Sequence, residues 1–193
     1  MVYYEKMEKM IFGITGTNRA GKGKVVDFLK KVEGFEHFSA SDLITEEIIK
    51  RDMPVNRDSM IVVANDLRSE FGAGYIAEEL LRRAENSPSN AVVESIRTLG
   101  EVEKLRERGA MLLAVDADQK IRYQRSVADG GVKDGISFEK FVEQEQKEWE
   151  SNDPNKQNLK ACINAADFVI ENNGTIEELN EKIEKILKII QNK

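Results

Sequence analysis

Residues 10–26 read M-I-F-G-I-T-G-T-N-R-A-G-K-G-K-V-V, and how this stretch is read decides the fold. An apolar run, Met10 to Thr15, meets a glycine-punctuated turn. The turn meets a helical pattern with Val25, Val26, Phe28, Leu29 and Val32 on one side. The order is strand, loop, helix. Gly16 and Gly21 stand five apart with Lys22 directly after the second, which is the G-x-x-x-x-G-K core of a phosphate-binding loop. Glycines let the backbone curl so that successive N–H groups, here those of Arg19 to Lys24, point into one concavity. The following helix adds the positive end of its dipole. A polyphosphate is the ligand that suits this geometry, and the candidate binding residues are Gly16, Thr17, Asn18, Arg19, Ala20, Gly21, Lys22, Gly23 and Lys24. The position after Lys22, where such loops carry Ser or Thr, is Gly23.

Working outward, 193 residues suit a single domain over 1–193, large enough to bury a core and still carry a cleft. The chain holds 29 basic and 35 acidic residues, a net charge of −6. That balance disfavours nucleic acid and a polybasic membrane patch, so an anionic ligand must be captured locally, and a small one fits best. A single cysteine, Cys162, allows no intrachain disulfide, and no C-x-x-C or Cys/His cluster suggests zinc. The first nine residues lack a secretory pattern, and no segment approaches the roughly 20 apolar residues of a membrane span. A cytoplasmic protein is expected.

Beyond the first unit, short apolar runs predict strands at Phe35–Ser39, Ala91–Val93, Ala110–Val115 and Asp167–Glu171. The Ala110 run is the most uniformly apolar and should lie beside the first strand. Helical patterns alternate with them: one capped by Ser41 or Asp42, one from Asn56 to Phe71, one over Tyr75–Ala84, and one over Glu101–Arg108. Others start at Asp118, Ser137 and Lys156, and the last, from Thr175, carries an apolar stripe of Ile176, Leu179, Ile183, Ile186 and Leu187 suited to docking on a sheet. His37, the only histidine, has no metal or triad partner in sequence and reads as structural. Strands alternating with helices predict an α/β sandwich with a parallel sheet. Ligands then bind at the C-terminal strand ends, which are Gly16–Lys24, Ser39–Asp42, Glu94–Arg97, Asp116–Asp118 and Asn172–Gly174.

These ends supply the parts of phosphoryl transfer. Lys22 is a point charge for the β- and γ-phosphates. Arg97 offers a planar fork for an acceptor phosphate, and Arg122 and Arg125 share a helix face just before the glycine-bracketed loop Gly130–Gly135. With no loop hydroxyl at Gly23, Mg²⁺ would be held through water by Glu94, Asp116 or both, or by Thr15 or Thr17. Glu94 alternatively orients or deprotonates the attacking group. The catalytic candidates are therefore Lys22, Glu94, Arg97, Arg122 and Arg125.

The Gly-Lys-Gly ending of the loop resembles the adenylate-kinase branch of the nucleoside monophosphate kinases. F-S-A-S-D-L at 38–43 is similar to the start of that family's monophosphate-binding segment, and I-R-T at 96–98 to its phosphate-gripping turn. The ending A-D-F-V-I-E-N-N-G-T-I-E-E-L, 166–179, resembles dephospho-CoA kinases. The resemblance implies a three-layer α/β/α sandwich of the P-loop kinase fold with a five-stranded parallel sheet in the order 2-3-1-4-5. It also implies ATP with Mg²⁺, a monophosphate-binding region near 41–75 and a short lid near 129–136. Asp42, Arg57, Arg68 and Arg97 would serve the acceptor, and Asn172 to Thr175, with Asn173 and Gly174 at the centre, would frame adenine. Departures from the family pattern are Lys24 in place of threonine, Thr45 in place of an arginine, and no arginine between Ser137 and Gln157. The function expected is ATP- and Mg²⁺-dependent transfer to a nucleoside monophosphate. Dephospho-CoA kinase is the alternative enzyme, and a nucleotide-binding switch or assembly ATPase without a small acceptor is the alternative of another class.

Overall fold

Ile11–Thr15 (β1) is buried at all five positions, as a strand with a neighbour on each edge and helices on both faces must be. The computed structural model describes residues 9–128 and 137–192, the side chain of Arg57 apart. The expected lid near 129–136 thus lies outside the described residues. β1 pairs in parallel with β3 (Ala91–Glu94) on one side and β4 (Met111–Asp116) on the other. β2 (Glu36–Ser39) lies outside β3, and β5 (Phe168–Glu171) outside β4, giving the parallel order β2-β3-β1-β4-β5 that the resemblance implies. Register brings the strand ends level: Ile14 is opposite Glu94, Ser39 opposite Glu94 on the other side, and Asp116 opposite Glu171.

Alternation along the strands divides the core in two. Phe12, Ile14, Val92, Leu113, Val115 and Ile170 face α1 (Lys22–Glu33) and α9 (Ile176–Gln191), which bury Val25, Leu29, Leu179 and Ile183 against them. Ile11, Ala91, Val93 and Leu112 face the other way, onto α2 (Ala40–Lys50), α3 (Arg57–Phe71), α4 (Tyr75–Asn86) and α5 (Leu99–Glu107). The result is three layers, with the stripe of α9 docked on the sheet. Beside the strand ends lie α6 (Gln119–Ala128), α7 (Phe138–Trp149) and α8 (Leu159–Asn164). Tyr123 of α6 meets the rings of Phe138 and Phe141 edge-on at 5.3 and 5.7 Å, and this fastens α7 to α6.

Three helix starts differ from expectation, each because a different residue caps. α2 begins at Ala40, since Ser39, the last residue of β2, accepts a hydrogen bond from the Asp42 N–H. Thr98 and Glu101 form a reciprocal capping box, so α5 starts at Leu99. Asn158 caps α8, which is shorter than the Lys156–Ala165 pattern. Cys162 is buried in the α-helical core, where burial pushes its thiol up to about 12 and leaves it inert. Among the described residues no helix is long and apolar enough to cross a membrane.

Candidate active site

After Thr15 the chain turns through Gly16, Arg19 and Gly21, all at positive φ (129°, 61° and 105°), and enters α1. At Gly21 a Cβ would lie 2.3 Å from the Asn172 side-chain nitrogen, and that nitrogen donates to the Ala20 carbonyl at 2.7 Å. The end of β5 is thereby stapled to the loop, and Asn172 is buried. The first turn of α1 carries no acidic residue to offset its positive end. Lys22 Nζ donates to the carbonyls of Gly16 (3.0 Å) and Thr17 (2.8 Å) and so closes the loop on itself. Burial, then the nearby Arg97 guanidinium, lower the Lys22 pKa to about 8.

Two acidic groups flank the loop. Asp116 Oδ1 accepts from Thr17 Oγ1 at 2.5 Å and from the Ala117 N–H at 2.9 Å. Thr15 is excluded from this group, because its hydroxyl is buried and donates to the Ile96 carbonyl at 2.7 Å. Of the two candidate threonines, Thr17 is thus the one beside a carboxylate. Glu94 Oε2 lies 3.0 Å from His37 Nε2 across the β2–β3 pair. The hydrogen bond from His37 chiefly, with Lys22 and Arg97 adding, holds the Glu94 carboxyl below the usual carboxylate range. His37 thus has a partner that the sequence did not show, the candidate site residue Glu94. Thr17, Asp116 and Glu94 each carry oxygen donors of the hard kind Mg²⁺ takes, and one or two carboxylates suffice when phosphates supply the rest. Among the described residues no group of three or more His, Cys, Asp or Glu is placed to hold a metal unaided.

Arg97 owes its place to Glu101, whose Oε2 accepts from the Arg97 N–H at 2.7 Å and the Thr98 N–H at 3.3 Å. Ser95, at φ 75°, turns the chain so that Arg97 faces the loop. The Arg97 guanidinium donates to Glu148 of α7 at 3.0 Å and to Gln157 at 2.8 Å. Arg68 lies deeper, 3% exposed, with its Nε and Nη2 donating to Glu101 Oε1 at 3.1 and 3.0 Å. Arg122 donates to the carbonyls of Ala117 (2.7 Å) and Asn18 (3.3 Å) and pairs with Glu145 of α7. Arg125 donates to the carbonyls of Ala20 (3.4 Å) and Asn172 (2.8 Å). These two arginines therefore brace the loop through its backbone. Asp42 is exposed in the first turn of α2, and Asn173 accepts from the Asp118 N–H at 2.8 Å. Arg57 opens α3.

Two cavities meet here. The first, about 680 Å³, runs from Glu94 and Arg97 past Lys22 to Gly174 and Leu179. The second, about 270 Å³, is walled by α2 and α3 through Ile44, Met60, Asn65 and Arg68. Asn18, Ser95 and Arg97 line both. Sequence reasoning passed over Glu101, Glu145, Glu148 and Gln157. The Thr98-x-x-Glu101 spacing was a readable signal for the first, and the three-residue spacing of Glu145 and Glu148 for a shared helix face. Nothing local points to Gln157.

No family model matches the chain. It is similar to the UPF0200 protein of Thermococcus kodakarensis, with 29% identity over 191 residues that span 95% of this chain and 100% of that protein. Among solved structures it is similar to a shikimate kinase from Bacteroides thetaiotaomicron, with TM-score 0.58 and 10% identity, covering 93% of this chain and 98% of that one. It is also similar to a sugar kinase from Janibacter, with TM-score 0.52 and 16% identity, covering 94% of this chain and 95% of that one. The fold is accordingly that of the P-loop kinases.

Proposed function

We propose that this protein is an ATP- and Mg²⁺-dependent kinase that transfers the γ-phosphoryl group of ATP to a nucleoside monophosphate. The observation that carries the reading is the pair of cavities meeting at Asn18, Ser95 and Arg97, one over the phosphate loop and one beside it. A donor and an acceptor can enter from opposite ends and meet at one arginine. The fold shared with a shikimate kinase and a sugar kinase supports a kinase reading of that arrangement.

The triphosphate lies along the N–H groups of Arg19 to Lys24, with the adenine end toward Gly174, Ile176 and Leu179. Lys22 leaves its two carbonyl partners for the β- and γ-phosphates, and Arg97 leaves Glu148 and Gln157 for the acceptor phosphate. An oxygen of that phosphate attacks the γ-phosphorus. The bond to the β-bridging oxygen breaks, and ADP departs with the electron pair. A phosphate monoester nucleophile is ionised near neutrality, so no proton need be removed, and Glu94 serves Lys22 and the metal rather than acting as a base. Mg²⁺, when bound, neutralises charge on the β- and γ-oxygens, with Asp116, Thr17 and Glu94 as the residues that would hold it. Residues 41–75, which supply most of the second cavity's wall, form the acceptor-binding region.

The test is ADP release with ATP and Mg²⁺ against a panel of nucleoside monophosphates and dephospho-CoA. One clearly preferred nucleoside monophosphate is the expected result. Preference for dephospho-CoA would replace the acceptor, and hydrolysis unchanged across the whole panel would favour a switch ATPase.

Lys22 also makes ATP binding pH-dependent. Polyphosphate favours the protonated amine, so affinity is full below the Lys22 value of about 8 and is lost as pH rises through it. With a bound-state pKa well above the free one, the loss at pH 9 is about tenfold. Titrations between pH 7 and 9 check this, and Lys22→Arg, always charged, should flatten the curve.

A further inference from the structure

Among the described residues, a single hydrogen bond holds the Glu94 carboxylate. His37 Nε2 lies 3.0 Å from Glu94 Oε2, and no other described side chain bonds to either oxygen. Lys22 and Arg97 act on Glu94 through charge alone, because the amine donates to the Gly16 and Thr17 carbonyls and the guanidinium to Glu148 and Gln157. An ionised carboxylate offers only lone pairs, so the ring nitrogen carries the hydrogen and donates it.

Strand pairing brings the two residues together. In the β2–β3 pair His37 is opposite Val92 and Ser39 is opposite Glu94, so His37, Val92 and Glu94 share the face of the sheet that carries α1. Glu94 lines the first cavity together with Lys22, whereas His37 does not. The second oxygen, Oε1, remains open. It bonds to no described residue and it is not sealed from solvent, since Arg68 Nη1 is the one sealed and unpartnered side-chain nitrogen or oxygen among the described residues. A glutamate side chain turns about several bonds, and without the His37 donor the positive charges of Lys22 and Arg97 would draw the carboxylate onto themselves.

On the assignment of Glu94 to the metal, on which this rests, we infer that His37 is a positioning residue for the divalent cation. It pins Glu94 Oε2, so that Oε1 is presented to the cavity over the phosphate loop, toward the cation or a water bound to it. It touches neither nucleotide nor metal and acts only through Glu94.

The experiment uses Mn²⁺, which is paramagnetic, as the probe in place of Mg²⁺. Its dissociation constant is read by electron paramagnetic resonance on the whole protein saturated with the β,γ-imido analogue of ATP, so that neither turnover nor an acceptor enters. His37→Leu should weaken Mn²⁺ binding about tenfold or more, the usual size of a lost partner behind a metal ligand. His37→Gln, which keeps an N–H near the place of Nε2, should restore most of that loss. In a Glu94→Gln background His37→Leu should change the affinity by less than about twofold, because no carboxylate is left to position. Melting temperatures check the fold of each variant, and His37→Ala takes the place of His37→Leu if the latter does not fold. Unchanged Mn²⁺ binding by the folded deletion variant, no recovery in His37→Gln, or an equal loss in the Glu94→Gln background would each overturn the inference alone. Mn²⁺ binding by Glu94→Gln as tight as that of the wild type would take Glu94 out of the metal site, and the inference with it.

Discussion

Lys22→Ala is expected to lower acceptor-dependent phosphoryl transfer by at least about a thousandfold while leaving the protein folded. The loop turns this amine inward, where it donates to the Gly16 and Thr17 carbonyls at 3.0 and 2.8 Å. Those carbonyls can be exchanged for phosphate oxygens without moving the backbone. A thousandfold corresponds to about 4 kcal/mol of transition-state energy, the scale on which a preorganised cation acts in a site that excludes water. Stability should change little. Burial opposes the charge on Lys22, as its lowered pKa of about 8 records, so removing the amine relieves a cost while it forfeits two hydrogen bonds. ADP release and the melting temperature, measured on the same preparation, separate the two effects. Turnover like that of the wild type would take the loop out of the mechanism.

Gly16→Ala should damage fold and binding together. Gly16 sits at φ 129°, and a Cβ there would lie 1.9 Å from the Val115 carbonyl oxygen in the neighbouring central strand. Backbone strain and overpacking each cost about 1–3 kcal/mol, and β4, buried between β1 and β5, has little room to yield. A loss of about 3 kcal/mol or more is expected, which lowers the melting temperature by roughly 6–12 °C for a chain of this size. ATP affinity should fall as well, because the N–H groups of the loop leave their common focus. Gly23→Ala is the matched control, since a Cβ at Gly23 meets nothing within 4 Å. Equal stability of the two variants would show that the loop accommodates the methyl group and that its shape is not held by β4.

The difference between Gly16 and Gly23 illustrates what could be read in advance. The motif spacing identified both glycines. Which one is sterically indispensable depends on Val115, about a hundred residues away. Similar reasoning covers Thr15 and Thr17: alternation along β1 turns the Thr15 hydroxyl into the core against Ile96, and only the pairing of β1 with β4 sets Thr17 beside Asp116. The arginines behave likewise. Arg97 was visible as a strand-end residue, but its partners Glu148 and Gln157 lie 51 and 60 positions along the chain. Arg122 and Arg125, read in sequence as leading into a lid, donate instead to backbone carbonyls of the phosphate loop.

The sequence by itself determined the elements, the parallel sheet and the phosphate loop. These rest on local physics: short, uniformly apolar runs, three- and four-residue helical spacing, and glycines where φ is positive. Tertiary structure alone decided which charges are available to a ligand. Glu101 neutralises Arg68, while Glu148 and Glu145 of α7 meet Arg97 and Arg122, and in each case distant elements are brought within a hydrogen bond. Electrostatic interaction depends on distance and burial rather than on position in the chain, so the residue types alone could not show which guanidinium is already paired, and with what.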